Sequence, residues 1–233
     1  MTKYRYLLFD VDNTLMDFDR AEHDAMWDTL KDQGYEPSEA LIADYYKIND
    51  AHWKMLERGE IDRPTLMWKR FEAFADACGL ADMDGKAFNE RYVHNLSQKS
   101  YLLDGALEVC ERLAKDYCLC AITNGNTKVQ KGRFLPSPLY PLFAKCFISD
   151  EMGCAKPSQE FFDMVCAELP DLRPEQALVI GDSLTSDIAG GIRWGTDTCW
   201  YCPPSKQDKA KGAKELPITY RIERLEQLLD ILL

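Results

Sequence analysis

"YLLFDVDNTLMD", residues 6–17, sets two aspartates one residue apart at the end of an apolar run. Tyr6, Leu7, Leu8 and Phe9 form an unbroken hydrophobic stretch. A continuous run, unlike an alternating one, predicts a strand covered on both faces. Such strands belong to parallel sheets, whose ligands collect beyond the carboxyl ends of the strands. Asp10 and Asp12 are therefore expected where chemistry is done.

Downstream of Asp17 the pattern turns helical, with Ala21, Ala25, Met26 and Leu30 on one face. Ser38 and Glu39 open a second helix that carries Tyr45, Ile48, His52 and Met55. A third is expected over Arg63–Cys78, with Pro64 in the first turn where proline is tolerated. A fourth runs from Asp84 to about Gln98. No strand signal lies between Phe18 and Lys99, so residues 18–98 read as an all-helical insert.

Strand signals then return as "YCLCAITNG" (117–125), "KCFISDEMG" (145–153), "ALVIGDS" (177–183) and "TDTCWYCPP" (196–204). Helical stretches separate them at Ala106–Lys115, Ser158–Leu169 and Ser186–Trp194. The alternation predicts an α/β fold, a Rossmann-like doubly wound parallel sheet formed by residues 1–17 and 99–233. "LPSPLYPLF" (135–143) carries too much proline for a long helix and is expected to be a connection. "RIERLEQLLDILL" (221–233) reads as one amphipathic helix against the sheet.

Charge narrows the function classes. The net charge of -11 argues against a nucleic-acid binder, which needs a basic face to displace counterions. No apolar run approaches the roughly 18 residues of a membrane span, and no secretory segment precedes the first strand. A cytoplasmic location without a membrane partner is expected. The nine cysteines are scattered, and those inside apolar runs suit a reducing compartment. Cys199 and Cys202 form a lone C-x-x-C, read as two reduced thiols on or just after a strand.

If the strands are parallel, Asp10, Asp12, Thr123, Asn124, Lys156, Asp182 and Asp187 meet at one sheet edge. Carboxylates with a lysine and hydroxyl and amide donors make a composition for a hard cation and a phosphate.

"DVDNT" (10–14), "TNG" (123–125), "KP" (156–157) and "GDSLTSD" (181–187) resemble the four ordered motifs of the haloacid dehalogenase superfamily, phosphatase branch. The helical insert resembles its C1-type cap. The resemblance implies that Asp10 is the nucleophile and forms an aspartyl-phosphate. Asp12 is implied as general acid, then general base, with its backbone carbonyl on the metal. Thr123 and Asn124 are implied to donate to the phosphoryl group, and Lys156 to neutralise Asp10 and a phosphate oxygen. Asp10, Asp12, Asp182 and Asp187 are the implied magnesium (Mg2+) site, with Asp187 holding a metal water or orienting Lys156.

Dehalogenases lack the second aspartate, so Asp12 favours a phosphatase. "YKINDAHWKMLERGEI" (46–61), "AITNGNTKVQKGRF" (121–134) and "GTDTCWYCP" (195–203) further resemble the noncanonical pyrimidine nucleotidases. This implies a small-molecule phosphomonoester substrate, a pyrimidine or modified nucleoside monophosphate. Asn49 and Trp53 in the insert are then candidates to bind the base, with Trp27 and His52 behind them. Bundle core is the commoner role for tryptophans at such helical positions, and a half-exposed helix position the commoner one for His52. A sugar-phosphate phosphatase or phosphomutase of the same superfamily, and a non-enzymatic module on the same fold, are the competing readings.

Overall fold

In the computed structural model, which describes residues 3–80, 82–169, 171–206 and 216–233, the first apolar run is strand β1 (Tyr6–Phe9). It lies at the centre of a six-stranded sheet, all parallel, in the order β3-β2-β1-β4-β5-β6. The others are β2 (Cys118–Thr123), β3 (Phe143–Ile148), β4 (Ala177–Gly181), β5 (Asp197–Tyr201) and β6 (Tyr220–Ile222).

Both faces of β1 are covered, as its continuous apolar run requires. Leu7 and Phe9 face a core with Val109 and Leu113 of α5 (Ala106–Leu113) and Leu228 and Leu232 of α10 (Gln227–Leu232). Tyr6 and Leu8 face the other core, with Phe161, Phe162 and Val165 of α8 (Gln159–Glu168) and Trp194 of α9 (Ala189–Trp194). Leu7, Leu8 and Phe9 are fully buried. Each such side chain contributes about 1.5–3 kcal/mol by leaving water.

From β1 the chain proceeds outward through β2 and β3 on one side, and through β4, β5 and β6 on the other. The reversal leaves a crevice beyond the carboxyl ends of β1 and β4. Phe9 pairs with Ala121 and with Ile180. That register carries Asp10 alongside the ends of β2 and β4.

The described chain divides into two compact units, Asp19–Lys99 and the remainder. The smaller is built from α1 (Phe18–Asp32), α2 (Glu39–Glu57), α3 (Arg63–Cys78) and α4 (Gly85–Ser97), with no strand among its described residues. Ser38, Asp62 and Asp84 cap α2, α3 and α4 through side-chain oxygens that accept from first-turn N–H groups. Its core is aromatic: Tyr45 stacks on Phe71 at 5.5 Å between centroids, and Phe71 meets Phe88 at 5.0 Å. No described helix is long and apolar enough to cross a membrane.

The C-terminal segment differs from expectation. "YRI" (220–222) is β6, hydrogen-bonded to β5, and the helix is confined to Gln227–Leu232. A three-residue edge strand has no periodicity of its own to read, because its partner supplies the signal. The helix expected from Ser186 begins instead with a π-helical turn, Leu184–Ile188, capped by the Ser183 side chain. Residues 135–142 form turns and one short helical turn, as their prolines require. All nine cysteines are free thiols; Cys199 lies on β5 and Cys202 just after it, both buried.

Candidate active site

Asp10 is the first residue beyond β1, and its backbone N–H still donates to Ile180 O at 2.8 Å. The chain then reverses sharply. Asn13 adopts φ 63°, a left-handed conformation that asparagine tolerates better than most residues, and its N–H donates to Met16 O. Leu15 and Met16 N–H groups both donate to Val11 O. The reversal returns Thr14 to the strand end, where its hydroxyl donates to Asp10 Oδ2 at 3.0 Å.

The other Asp10 oxygen belongs to Lys156. The ammonium is 2% exposed and donates to Asp10 Oδ1 at 2.7 Å, Asp187 Oδ1 at 2.7 Å and Ile122 O at 2.8 Å. All three of its protons are thereby placed. Asn124 holds the lysine backbone on both sides: Nδ2 donates to Lys156 O and Oδ1 accepts from Lys156 N. Its side chain is thus engaged in positioning Lys156, which leaves the backbone N–H as the group for the donation to phosphoryl expected of Asn124. Thr123 ends β2 with its hydroxyl accepting from Gly125 N.

Asp187 sits in the π-helical turn and also accepts from Ser183 N through Oδ2. Gly181 makes room for it, since a Cβ there would lie 2.3 Å from Asp187 Oδ2. Asp182 follows, and its backbone oxygen accepts from the Trp200 indole at 2.9 Å.

Carboxylate oxygens of Asp10, Asp182 and Asp187 lie within 4.8 Å of one another. The three carboxylates face the Lys156 ammonium, and Lys206 adds a second ammonium 3.9 Å from Asp182, which still leaves an excess of negative charge around Asp10. Burial pushes the Asp10 carboxyl well above the carboxylate range; Lys156 pulls it down, and Asp187 and Asp182 push it further up. Burial alone would lower the Lys156 ammonium, but Asp10 and Asp187 outweigh it and hold the lysine above its ordinary value. Burial lifts Asp10 first of all, whereas Lys156 is lifted by the carboxylates facing it, because its ammonium offsets part of that excess. A divalent cation with oxygen ligands would relieve it too, so the donor set fits magnesium.

Asp12 points elsewhere. Its Oδ1 accepts from Arg133 Nη1 at 2.7 Å and its Oδ2 from Gln130 Nε2 at 2.6 Å. Both donors come from α6 (Thr127–Arg133), three residues apart and so on one face. Neither was among the residues expected from sequence. The signal available was a glutamine and an arginine at helical spacing just after "TNG".

In the helical unit Asn49 is buried and internally bonded. It donates to Glu22 Oε1 at 2.8 Å and accepts from Arg70 at 2.8 Å. The tryptophans depart from the bundle-core expectation. Trp27 is half-buried and stacks on His23 at 6.0 Å, and Trp53 is half-buried with the Arg63 guanidinium 5.5 Å from its ring centre. His52, half-buried as expected, places Nδ1 2.7 Å from Ile48 O.

Comparison with known proteins identifies the family. The model of the haloacid dehalogenase-like hydrolases matches residues 4–195. The HAD-hydrolase YfnB of Bacillus subtilis (strain 168) is 37% identical over 232 residues, covering 100% of this chain and 97% of that protein. The pyrimidine 5'-nucleotidase PynA of Streptococcus pneumoniae (strain ATCC BAA-255 / R6) is also 37% identical, over 98% of this chain and 95% of its own. The pyrimidine 5'-nucleotidase YjjG of Escherichia coli (strain K12) is 28% identical over 97% and 98%. The crystal structure of YfnB bound to magnesium superposes with a TM-score of 0.90 at 35% identity, covering 98% of each chain.

Proposed function

Because this chain belongs to the haloacid dehalogenase-like hydrolases and is a hydrolase of phosphoric monoesters, we propose that it is a magnesium-dependent nucleoside 5'-monophosphatase that prefers pyrimidine or noncanonical nucleotides. The observation that carries the chemistry is the buried Asp10–Lys156–Asp187 cluster with Asp182 beside it. PynA and YjjG, named as pyrimidine 5'-nucleotidases, support the substrate class.

Asp10 is the nucleophile. One of its oxygens bonds to phosphorus as the ester P–O bond breaks. The electron pair stays on the ester oxygen, which takes a proton from Asp12. Water then attacks the aspartyl-phosphate and gives a proton back to Asp12, and inorganic phosphate leaves Asp10. Two anions must meet in the first step, and Lys156 lowers that repulsion with a charge already fixed in place. Thr123 and the Asn124 backbone N–H are the donors proposed for the phosphoryl oxygens. Asp10, Asp182, Asp187 and the Asp12 backbone carbonyl would hold magnesium, which supplies Lewis-acid neutralisation of the phosphate. Base selection is assigned to Trp53, with Asn49 acting by bridging Glu22 and Arg70.

The test is phosphate release from UMP, dUMP, dTMP, purine monophosphates, glucose phosphate and phosphoglycolate, with magnesium and with EDTA. Magnesium-dependent release favouring the pyrimidines is expected, and Asp10→Asn should abolish it while the circular dichroism spectrum is kept. Preference for the sugar phosphates would discard the substrate class; turnover by Asp10→Asn would discard the nucleophile.

A further inference from the structure

Asp12 stands apart from the carboxylate group, in the grip of two polar side chains that the core has swallowed. Arg133 is 0% exposed and Gln130 is 1% exposed. Burying a guanidinium is expensive unless a carboxylate accompanies it, and Asp12 is an acceptor at 2.7 Å. Gln130 bears a further cost, since its Oε1 is buried with no hydrogen-bond partner among the described residues. Packing alone does not explain a half-satisfied buried amide whose Nε2 reaches Asp12. The chain also makes space for it: a Cβ on Gly125 would lie 2.1 Å from Gln130 Nε2.

We propose that Gln130 and Arg133 are positioning residues for Asp12, holding its carboxyl in the one rotamer that exchanges a proton with the leaving group and then with water. The inference rests on the phosphoryl-transfer reading above and extends it. Two donors from one helix face, each on a different oxygen, leave the side chain no rotational freedom. Each oxygen keeps a second lone-pair direction for the proton it exchanges. In the first step the ester P–O bond breaks, the Asp10–phosphorus bond forms, and the proton passes from Asp12 to the departing oxygen.

An acid matters most when the leaving group is a poor one. The test compares phenyl phosphate with p-nitrophenyl phosphate, whose leaving group departs as a stabilised anion and needs little protonation. First-turnover release of each phenol is measured for the full-length protein with magnesium, so that only the first step is read. Arg133→Met and Gln130→Leu are each expected to slow phenol release by roughly tenfold more than p-nitrophenol release, as misplacing an acid does. In an Asp12→Asn background, Arg133→Met is expected to add none of that difference.

Equal slowing of both esters, no slowing, or a difference that persists without Asp12 would overturn the inference and leave the proposed function standing. If Arg133→Met loses its circular dichroism spectrum, Gln130→Leu decides alone, because it leaves the buried charge pair intact. A wild-type protein that releases neither phenol in a magnesium-dependent way would overturn the proposed function, and the inference with it.

Discussion

Replacing Glu22 by glutamine tests the buried polar cluster of the helical unit. Glu22 is 7% exposed. Burial pushes its carboxyl up from 4.5 to about 7; the Arg70 charge offsets part of this, and Asp19 on the same helix adds to it. Arg70 acts at a distance because Asn49 bridges the two, donating to Glu22 and accepting from Arg70. Below about pH 4.5 the folded and unfolded chains both hold the proton, and Glu22 leaves stability unchanged. Between about 4.5 and about 7 only the unfolded chain releases it, so stability falls as pH rises; above about 7 the full penalty stands. The gap of about 2.5 pH units, at about 1.4 kcal/mol each, is worth about 3 kcal/mol.

Glu22→Gln carries no titrating group there and keeps an oxygen to accept from Asn49. Its stability relative to the parent should therefore rise by about 3 kcal/mol between about pH 4 and about pH 8. In a chain of this length that is a relative Tm gain of roughly 6–12 °C. Urea unfolding followed by circular dichroism at the two pH values measures it. Two stability profiles that stay parallel within about 0.5 kcal/mol would refute the reasoning, because Glu22 would then titrate alike in both states.

Two further substitutions probe the proposed catalytic cluster. Lys156→Met strands the Asp10 and Asp187 carboxylates together; roughly a hundred- to a thousandfold loss of turnover is expected. Without magnesium the same change should cost about 3–5 kcal/mol in thermal melts, and a variant as stable as the parent would contradict the pairing. Gly181→Ala puts a methyl 2.3 Å from Asp187 Oδ2, so the carboxylate must shift off Lys156 and Ser183. The magnesium concentration for half activity should rise roughly 10–100-fold, and an unchanged magnesium titration would speak against that packing.

The site is legible where local pattern and chemistry coincide. β1, β2 and β4 are buried apolar runs that end in Asp10, Thr123 and Asp182, so their period and their final residues are read together. The α3 boundaries follow from Pro64 at the start and the left-handed Gly79 at the end. The edge strand β6 is illegible for the opposite reason: three residues carry no periodicity, and pairing with β5 makes them a strand. Asn49 shows a related limit, since its polarity suggests a ligand while its partners Glu22 and Arg70 sit 27 and 21 residues away.

Sequence by itself determined the parallel sheet, the helical stretches of the insert and which residues stand at the strand ends, because each of these is written in spacing over a few residues. Tertiary structure alone decided how those residues are spent. Asn124 turns to the Lys156 backbone, Lys156 bridges Asp10 and Asp187, and Asp12 is seized by Gln130 and Arg133 across 118 and 121 residues. Periodicity records which side of an element is buried. The partner of a buried charge is set by which elements pack together, and there the cost of leaving that charge unpaired selects the neighbour.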